Sequence, residues 1–381
     1  MTAPGSEAHA VLAPSSAHIW AVCAGSVAMQ QAYPEPDDSD EAREGTAAHW
    51  YVTELLQGRD VQPGQAAPNG VPISAEMVDC AQAILIDVRD TYHAAVGLGG
   101  DPQMYVESRV YMPIVHEQNW GTPDVQIVDR ARRVLHVWDY KYGHRYVDAA
   151  ENLQLIDYAI GALREFPCAE WPLWTVTINI AQPRNYHRFG PMREWQTDGR
   201  ALLDTYVPML YEAAKAAMEP GAPFQTGEHC RDCRGRHACP ALRQAGALAM
   251  DVALQSAPVD LPAHALGLEL RQIDDAIKRL RARQTGLEEQ AIGLIRGGTA
   301  VPFFTAQHSV GRERWTVPAA EAFALGEMYG VDLRKPAEPI TPKQARDKGI
   351  DEAVISAYAE RPRGALRLER VDDNAAKLAF E

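Results

Sequence analysis

The chain has 381 residues, of which 46% are hydrophobic and 23% are charged, a balance typical of folded globular proteins. Its 28 Gly and 26 Pro are too few for a disordered low-complexity chain, and its net charge of −14 argues against binding nucleic acid or anionic membranes over the whole surface. A confined basic groove is compatible with that charge. No run of about 18 apolar residues occurs and the first residues lack a basic segment, so we expect no membrane span, no secretory signal and a cytoplasmic location.

At roughly 150 residues per domain, the length predicts two to three domains. Residue periodicity predicts, in chain order, helices over 42–56 and 74–95, strands over 104–112, 125–129 and 134–140, a helix over 151–164, a strand over 174–181 and a helix over 197–218. The strands on either side of the basic turn 130–133 are expected to pair as a hairpin. This succession of helix, three strands, helix and strand predicts an α/β core.

The chain after the last cysteine has a mainly helical pattern. Apolar residues recur there at spacings of four, three or seven residues, in a stripe formed by Leu266, Leu270, Ile273, Ile277, Leu280, Leu287 and Leu294. This stripe predicts a long helix or helical hairpin over 255–298, which either packs within the chain or serves as a surface for homo-oligomerisation or partner docking. Residues 299–381 carry no motif and form a third region of unknown role.

Two carboxylates and one lysine are expected to meet at one edge of the sheet. Asp124 precedes one hairpin strand and Asp139 lies near the end of the next, so strand pairing brings them together. Lys141 follows two residues after Asp139 and shares its face of the strand. Carboxylate oxygens, with the Tyr140 carbonyl, suit Mg²⁺, and a lysine beside them suits water attack on a phosphodiester. Taken alone, an Asp-x-Lys tripeptide is a weak signal, because Asp is common at strand ends.

The wider spacing of motifs resembles that of RecB-like PD-(D/E)xK nucleases. Four motifs occur in the family's order: Gly-Thr-x-x-His at 45–49, Gly-x-x-Asp at 121–124, Asp-Tyr-Lys-x-Gly at 139–143 and Gln-x-x-x-Tyr at 154–158. The resemblance extends over residues 15–245 and includes Trp120 and Asn152, which echo a phage-encoded branch. It implies a restriction-endonuclease-like core, with a central mixed sheet flanked by helices, followed by a mainly helical C-terminal extension.

The resemblance implies a metal-dependent DNA exonuclease that acts in phage or prophage DNA end processing and recombination, in the bacterial host cytoplasm. It assigns Mg²⁺ or Mn²⁺ binding to His49, Asp124, Asp139 and the Tyr140 carbonyl, and catalysis to Lys141 with Asp124, Asp139, Gln154 and Tyr158. Glu107 is a further acidic candidate near the pocket. The plainer alternatives are that His49 packs on its helix face and that Gln154 and Tyr158, which share a helix face, are packing residues.

Two other functions stay open at this point: a structure-specific or site-specific endonuclease, and a nuclease fold kept for DNA binding or assembly with little activity. The chain has no Gly-x-x-x-x-Gly-Lys-[Ser/Thr] motif, so ATP-driven unwinding requires a partner helicase. A single-strand annealing or binding protein is the other implied partner. Candidate basic groups for DNA contact are Arg130, Arg132 and Arg133; Arg231, Arg234, Arg236 and Arg243; and Lys278, Arg279, Arg281 and Arg283, the last of which also suit a solvated helix face.

Three of the six cysteines, Cys230, Cys233 and Cys239, lie within ten residues, a spacing typical of metal ligands in a protein without disulfides. The spacing leaves the fourth ligand open among Cys23, Cys80, Cys168, His229 and His237. The resemblance selects Cys23, because AddB-type and CRISPR-associated RecB-like nucleases bind a [4Fe–4S] cluster through one cysteine before the core and three after it. Structural Zn²⁺ is the alternative. Cys80 and Cys168 are then expected to be ordinary buried thiols.

Overall fold

The computed structural model describes residues 10–33, 39–185, 190–253 and 261–306, together with the single residues 324, 328 and 353. The chain divides into two compact units, Met1–Gln307 and His308–Glu381, and every element below belongs to the first. Most of the predicted region 299–381 therefore lies outside the described residues. No helix among those that are described is long and apolar enough to cross a membrane.

The predicted α/β class is confirmed by a five-stranded mixed sheet. Its strands, together with a separate two-stranded ribbon, are β1 (Pro102–Val106), β2 (Val110–Tyr111), β3 (Trp120–Gly121), β4 (Val125–Asp129), β5 (Val134–Tyr140), β6 (Thr175–Ala181) and β7 (Met192–Asp198). The main sheet has the order β1-β4-β5-β6-β7, in which only β5 and β6 are parallel neighbours. Strands β2 and β3 pair in the ribbon. The hairpin formed by β4 and β5 has the bounds that the sequence predicts.

The helices are α1 (Ala17–Trp20), α2 (Ser26–Gln31), α3 (Asp40–Leu56), α4 (Ala75–Gly97), α5 (Leu153–Leu163), α6 (Gly199–Ala201), α7 (Val207–Met218), α8 (Pro240–Ala253) and α9 (Ala263–Arg296). A π-helical turn, Leu202–Tyr206, joins α6 to α7, and 3₁₀ turns cover Pro14–Ser16, Cys168–Leu173, Glu228–Asp232 and Arg234–His237. The side chains of Ser39, Ser74 and Asn152 cap α3, α4 and α5, each accepting a backbone N–H three residues ahead.

Hydrophobic layers cover both faces of the sheet. Alternation along β5 directs Leu135 and Val137 into the core with α5, whereas Trp138 and Tyr140 pack with α3 and α4. Strands β5 and β6 are buried on both faces, although the polar residues Thr177 and Asn179 alternate with apolar residues along β6. The Trp138 indole N–H donates to Asp87 of α4 at 2.8 Å, which satisfies the one polar atom of this buried ring.

Two sequence predictions differ from the structure. The strand predicted over 104–112 is interrupted at Glu107, whose φ of 51° lies in the left-handed region and ends β1. The helix predicted over 197–218 begins only at Gly199, because residues 192–198 form β7 along the free edge of β6. Strand β7 was missed because an edge strand with polar residues on its outer face has a weak apolar pattern. Helix α6 begins after Asp198, whose side chain caps it by accepting the Ala201 N–H at 2.8 Å.

The leucine stripe lies on one 34-residue helix, α9, and not on a hairpin. The helix contacts the 3₁₀ turns of the cysteine segment through its small residues Ala282 and Gly286, which are buried. A Cβ atom on Gly286 would lie 2.8 Å from the His237 backbone nitrogen, so only glycine permits this approach. Leu266 and Leu287, by contrast, are exposed. Oligomerisation through the stripe stays a prediction.

The close approach of Gly199 to Trp171 yields a stability prediction. A Cβ atom on Gly199 would overlap the Trp171 carbonyl oxygen, so Gly199→Ala should lower the free energy of unfolding by about 1–3 kcal/mol. The matched control is Gly267→Ala on α9, where no atom lies within 4 Å of the added Cβ, and which should stabilise by roughly 0.5–1 kcal/mol. Thermal unfolding followed by circular dichroism measures both changes. Equal melting temperatures for the two variants would contradict this account.

Candidate functional site

A large cavity lies where β4 begins and β5 ends. It has a volume of about 900 Å³, and its walls come from α3, the end of β1 and the segment after β5. Pairing of Val125 with Trp138 brings residue 124 beside residues 139 and 140, as the hairpin predicts. The ionisable side chains on its wall include His49, Glu107, Lys141 and Arg145.

His49, Glu107 and Asp124 form a group that could hold a metal ion. The His49 Nε2 atom lies 2.8 Å from Asp124 Oδ2, and its Nδ1 atom lies 3.4 Å from Glu107 Oε1. The three potential ligand atoms all lie within 4.8 Å of one another, the only such group of His, Cys, Asp or Glu among the described residues. Three separate elements supply them: α3, the end of β1 and the start of β4.

Glu107 enters this group through the backbone break that the sequence did not predict. Its N–H donates to the Asp124 carbonyl oxygen at 3.0 Å, and its left-handed conformation turns the chain out of β1. The Thr53 hydroxyl donates to Glu107 Oε1 at 3.3 Å, which fixes the carboxylate against α3. An acidic residue in the middle of the strand predicted over 104–112 was the sole signal for it in the sequence.

The charges of this group depend on one another. Burial lowers the pKa of His49, but the Asp124 and Glu107 carboxylates outweigh that effect and hold the pKa well above its ordinary value. Burial also raises the pKa of Asp124, against the opposite effect of His49. A cationic imidazole between two carboxylates therefore stabilises the group. A divalent cation could replace that proton, because a histidine that binds metal is neutral.

Asp139 and Lys141 form an ion pair beside this group. Lys141 Nζ lies 2.9 Å from Asp139 Oδ2 and 3.4 Å from Gln154 Oε1. Gln154 Nε2 donates to Asp139 Oδ1 at 2.9 Å, so the three side chains hold one another. Burial lowers the pKa of Lys141, but Asp139 and Asp124 outweigh it and hold the pKa above its ordinary value.

Asp139 also offers oxygen atoms of the kind that a hard cation prefers. Its Oδ2 atom is buried, and Lys141 Nζ lies 2.9 Å from it. The compact group consists of His49, Glu107 and Asp124 and does not include Asp139. Metal binding by Asp139 and by the Tyr140 carbonyl therefore stays a prediction. The Tyr140 N–H donates to Asp124 Oδ2 at 2.6 Å and orients that carboxylate.

Tyr158 lies beneath the site and does not line the cavity. It is buried on α5, and its ring meets the backbone of Gly121, where a Cβ would lie 2.8 Å from Tyr158 Cε1. Burial, together with the Asp124 and Asp139 charges, raises its pKa. Close packing against the Tyr158 ring therefore explains the glycine of the Gly-x-x-Asp motif. Tyr158 in turn supports the loop that precedes Asp124.

The four predicted cysteine ligands line one small cavity. Cys23, Cys230, Cys233 and Cys239 are all buried, and none of them forms a disulfide. Backbone N–H groups of Gln225 and Gly227 donate to the sulfurs of Cys23 and Cys230 at 3.4 and 3.3 Å. In the described structure no three of these sulfurs gather within 4.8 Å, so the four cysteines do not form a closed cluster. Cys168 is exposed, which corrects the expectation that it is a buried thiol.

Ion pairs connect the cysteine segment to the large cavity. Asp232, between Cys230 and Cys233, accepts from Arg145 Nη1 at 2.7 Å and lies 3.3 Å from His18 Nε2. Burial raises the pKa of Asp232, but His18 and Arg145 outweigh it and lower the pKa. The turn that carries two of the cysteines therefore positions an arginine on the cavity wall. Two of the predicted DNA-contact residues, Arg236 and Lys278, instead pair with carboxylates of Glu289 and Glu228.

A family model described as a protein of unknown function, DUF2800, matches residues 9–370. The chain belongs to this DUF2800 family. The matched range contains the complete large cavity and all four buried cysteines, so both features fall within the family's shared sequence.

This DUF2800 chain also buries a carboxyl group that the sequence analysis missed. Asp157 on α5 is fully buried, and the Asn119 amide donates to its two oxygens at 3.0 and 2.9 Å. Burial raises the pKa of Asp157 to about 7, against the lowering effect of Asn119. The pair fastens α5 to the segment leading into β3 and Asp124. An aspartate inside the apolar run 153–163 was the available signal.

The Asp157 carboxyl predicts a pH-dependent stability. In the unfolded chain it loses its proton near pH 3.9, whereas in the folded chain its pKa is about 7. Its contribution to stability should therefore fall as the pH rises from about 4 to about 7. The Asp157→Asn side chain can still accept a hydrogen bond from Asn119. This variant should lose less stability than the wild type between pH 4 and pH 7, and it should unfold at a higher temperature than the wild type at pH 8.

Melting temperatures measured from pH 4 to pH 8 test this. The exposed variant Asp90→Asn controls for the loss of one negative charge. The same slope in wild type and Asp157→Asn would show that the carboxyl does not carry the effect.

Proposed function

We propose that this chain is a divalent-metal-dependent deoxyribonuclease with a RecB-like, restriction-endonuclease-like core. The observation that carries the proposal is the juxtaposition of the His49, Glu107 and Asp124 group with the Asp139–Lys141 pair at one edge of a mixed sheet. The elements involved, α3, the β4–β5 hairpin and α5, carry the nuclease-like motifs in their expected order. The description of the family names no activity, so the support for this proposal comes from the chemistry of these residues.

His49, Glu107 and Asp124 would hold the cation, with Asp139 supplying a carboxylate oxygen and Tyr140 its carbonyl. Carboxylate and carbonyl oxygens suit Mg²⁺ and Mn²⁺. When bound, such an ion lowers the pKa of water and neutralises phosphate charge. Because His49 must release a proton to act as a ligand, we expect metal affinity to rise with pH.

Lys141 is the residue that we assign to the chemical step. Its ammonium group is charged, lines the cavity and is held by Asp139 and Gln154. A fixed ammonium donor stabilises negative charge that develops on a phosphate during hydrolysis. Gln154 positions both partners of the pair, and Tyr158 supports the loop before Asp124. The two are positioning residues.

The charge balance of the cavity bears on substrate binding. Lys141, Arg145 and the cationic His49 share its wall with Glu41 and Glu107, and the buried Asp124 and Asp139 lie behind them, so the site has no excess of positive charge to attract a phosphate backbone. The divalent cation should therefore strengthen DNA binding at this site, and binding should weaken steeply with salt. Exonucleolytic end processing in phage or prophage recombination is the mode we propose. A structure-specific endonuclease and a DNA-binding module with little activity are the alternatives.

Lys141→Ala should reduce Mn²⁺-dependent hydrolysis of linear DNA by about 100-fold or more, because a preorganised charged donor is lost at the reacting phosphate. DNA binding should persist. Lys215→Ala, at an exposed site on α7, is the matched control and should leave hydrolysis unchanged. The assay compares end-labelled linear DNA with closed circular DNA.

Hydrolysis of linear DNA alone supports an exonuclease, and cutting of circular DNA supports the endonuclease. Binding without hydrolysis of either substrate by the wild type would overturn the nuclease proposal in favour of the binding module.

We further propose that Cys23, Cys230, Cys233 and Cys239 hold a [4Fe–4S] cluster that fastens the two ends of the nuclease domain together. Zinc bound to four thiolates at about 2.3 Å would bring the sulfurs to about 3.8 Å from one another, closer than a larger cluster requires. No three of these sulfurs lie within 4.8 Å of one another in the part of the chain that the structure describes, an arrangement looser than a four-thiolate zinc site and compatible with the larger cluster. The cavity measures only about 20 Å³, however, so the turns around Cys230 and Cys233 must open to admit either group. Burial raises the pKa of Cys233 to about 11, so metal binding must displace its proton.

An anaerobic preparation should be brown, with broad visible absorbance and bound iron. Cys233→Ser should remove both, whereas the exposed Cys168→Ser should keep them. Colourless protein with stoichiometric zinc would refute iron–sulfur and support the zinc site. Protein free of both metals after anaerobic reconstitution would overturn the metal assignment.

A further inference from the structure

A second cavity lies against the other half of α5. It has a volume of about 360 Å³, is bounded by β1, β4 and the C-terminal end of α5, and shares no lining residue with the large cavity. We infer that it binds one nucleotide unit, recognising a phosphate through arginines and a base through tyrosines. The inference deepens the proposed nuclease function and rests on it for the idea that this nucleotide belongs to the DNA substrate.

Three arginines border this cavity, and each lies over an aromatic ring. The guanidinium carbons of Arg109, Arg130 and Arg164 lie 4.1, 4.9 and 5.9 Å from the ring centroids of Trp120, Phe166 and Tyr111. Stacking uses the flat face of a guanidinium and leaves the N–H groups at its edge free to donate. The rings therefore hold the arginines in place without occupying the donors that a phosphate needs.

Two of these arginines have no carboxylate partner among the residues that the structure describes. The Arg164 Nη2 atom lies 3.5 Å from Glu165 Oε1, whereas Arg109 and Arg130 form no ion pair with any described residue. Asp101 and Glu165 are the acidic residues of the wall, against three arginines, in a chain whose net charge is −14. The positive charge is thus concentrated at Arg109 and Arg130. A phosphate that binds there gains charge-assisted hydrogen bonds from the planar donor groups.

The remaining wall suits a planar, polar ring. Tyr105 and Tyr111 both line the cavity and remain 41% and 42% exposed, and the amides of Gln103 and Gln126 lie beside them. Exposed aromatic rings in a basic pocket stack on bases without regard to sequence. A volume of about 360 Å³ is at the small end of ligand pockets, which range over roughly 300–1,000 Å³, so it suits one nucleotide and not a duplex.

The wall of this cavity is continuous in sequence with the candidate metal centre. Arg109 follows Glu107 by two residues, and Gln126 follows Asp124 by two residues. The Gln126 amide donates to the Ser108 carbonyl oxygen at 3.5 Å, which links the two walls. A strand end that occupies the pocket would leave its neighbouring phosphates near Asp124.

The test measures binding in EDTA, where hydrolysis cannot occur. Titrations use 2′-deoxyadenosine 5′-monophosphate, deoxyadenosine, inorganic phosphate and a fluorescent single-stranded pentanucleotide. The double variant Arg109→Gln/Arg130→Gln should weaken binding of the monophosphate and the pentanucleotide by about tenfold or more, the loss of a charge-assisted contact. Arg89→Gln/Arg200→Gln removes the same charge at exposed sites outside both cavities and should not.

A second variant separates the base from the phosphate. Tyr105→Leu keeps the arginines. It should weaken binding of the monophosphate by about tenfold and leave the affinity for inorganic phosphate unchanged. Tighter binding of the pentanucleotide than of the monophosphate identifies a strand, and equal binding identifies a free nucleotide; either supports the pocket. Equal affinities for the two double variants, or no binding by wild type, would overturn it. Because EDTA removes metal chemistry, that failure is distinct from failure of Lys141-dependent hydrolysis, which would overturn the nuclease proposal alone.

Discussion

The burial of two carboxylates side by side is the constraint on which the rest of the site depends. Pairing of β4 with β5 brings Asp124 and Asp139 to one sheet edge, where they are only 9% and 3% exposed. Adjacent buried charges of one sign are costly unless cations and donors compensate them. His49 compensates Asp124, and Lys141 compensates Asp139. The site is therefore stable without metal, yet its compensating proton on His49 can give way to a divalent cation.

The fold serves this constraint by covering the sheet on both faces. The core with α3 and α4 fixes His49, and the core with α5 fixes Gln154, so residues from opposite layers meet only at the strand ends. The buried Asn119–Asp157 pair then ties α5 to the segment that precedes Asp124. A site made from several elements keeps its geometry because each element is separately anchored by apolar burial.

The cysteine segment is part of the same arrangement. Asp232 lies between two cysteines and holds Arg145 on the wall of the large cavity, while the close contact at Gly286 packs α9 onto the following turn. A change in the cysteine turns would therefore reach an arginine of the proposed nuclease site through one ion pair. The second cavity, lined by Arg109, Arg130 and Arg164, adds a positively charged region beyond the carboxylates, which makes the proposed nucleic-acid substrate compatible with an acidic chain.

The sequence alone determined the α/β class, the β4–β5 hairpin and the neighbourhood of Asp124, Asp139 and Lys141, because apolar periodicity reports burial and strand pairing follows from a short turn. The resemblance to RecB-like nucleases, and not periodicity, added His49 to that neighbourhood. The sequence did not determine β7, whose polar edge position weakens the pattern. Only the tertiary structure decided that Glu107 joins His49, that Asn119 meets Asp157, and that three arginines stack around one cavity. Those contacts join residues from separate elements, and periodicity along a single element carries no information about which side chains meet across the fold.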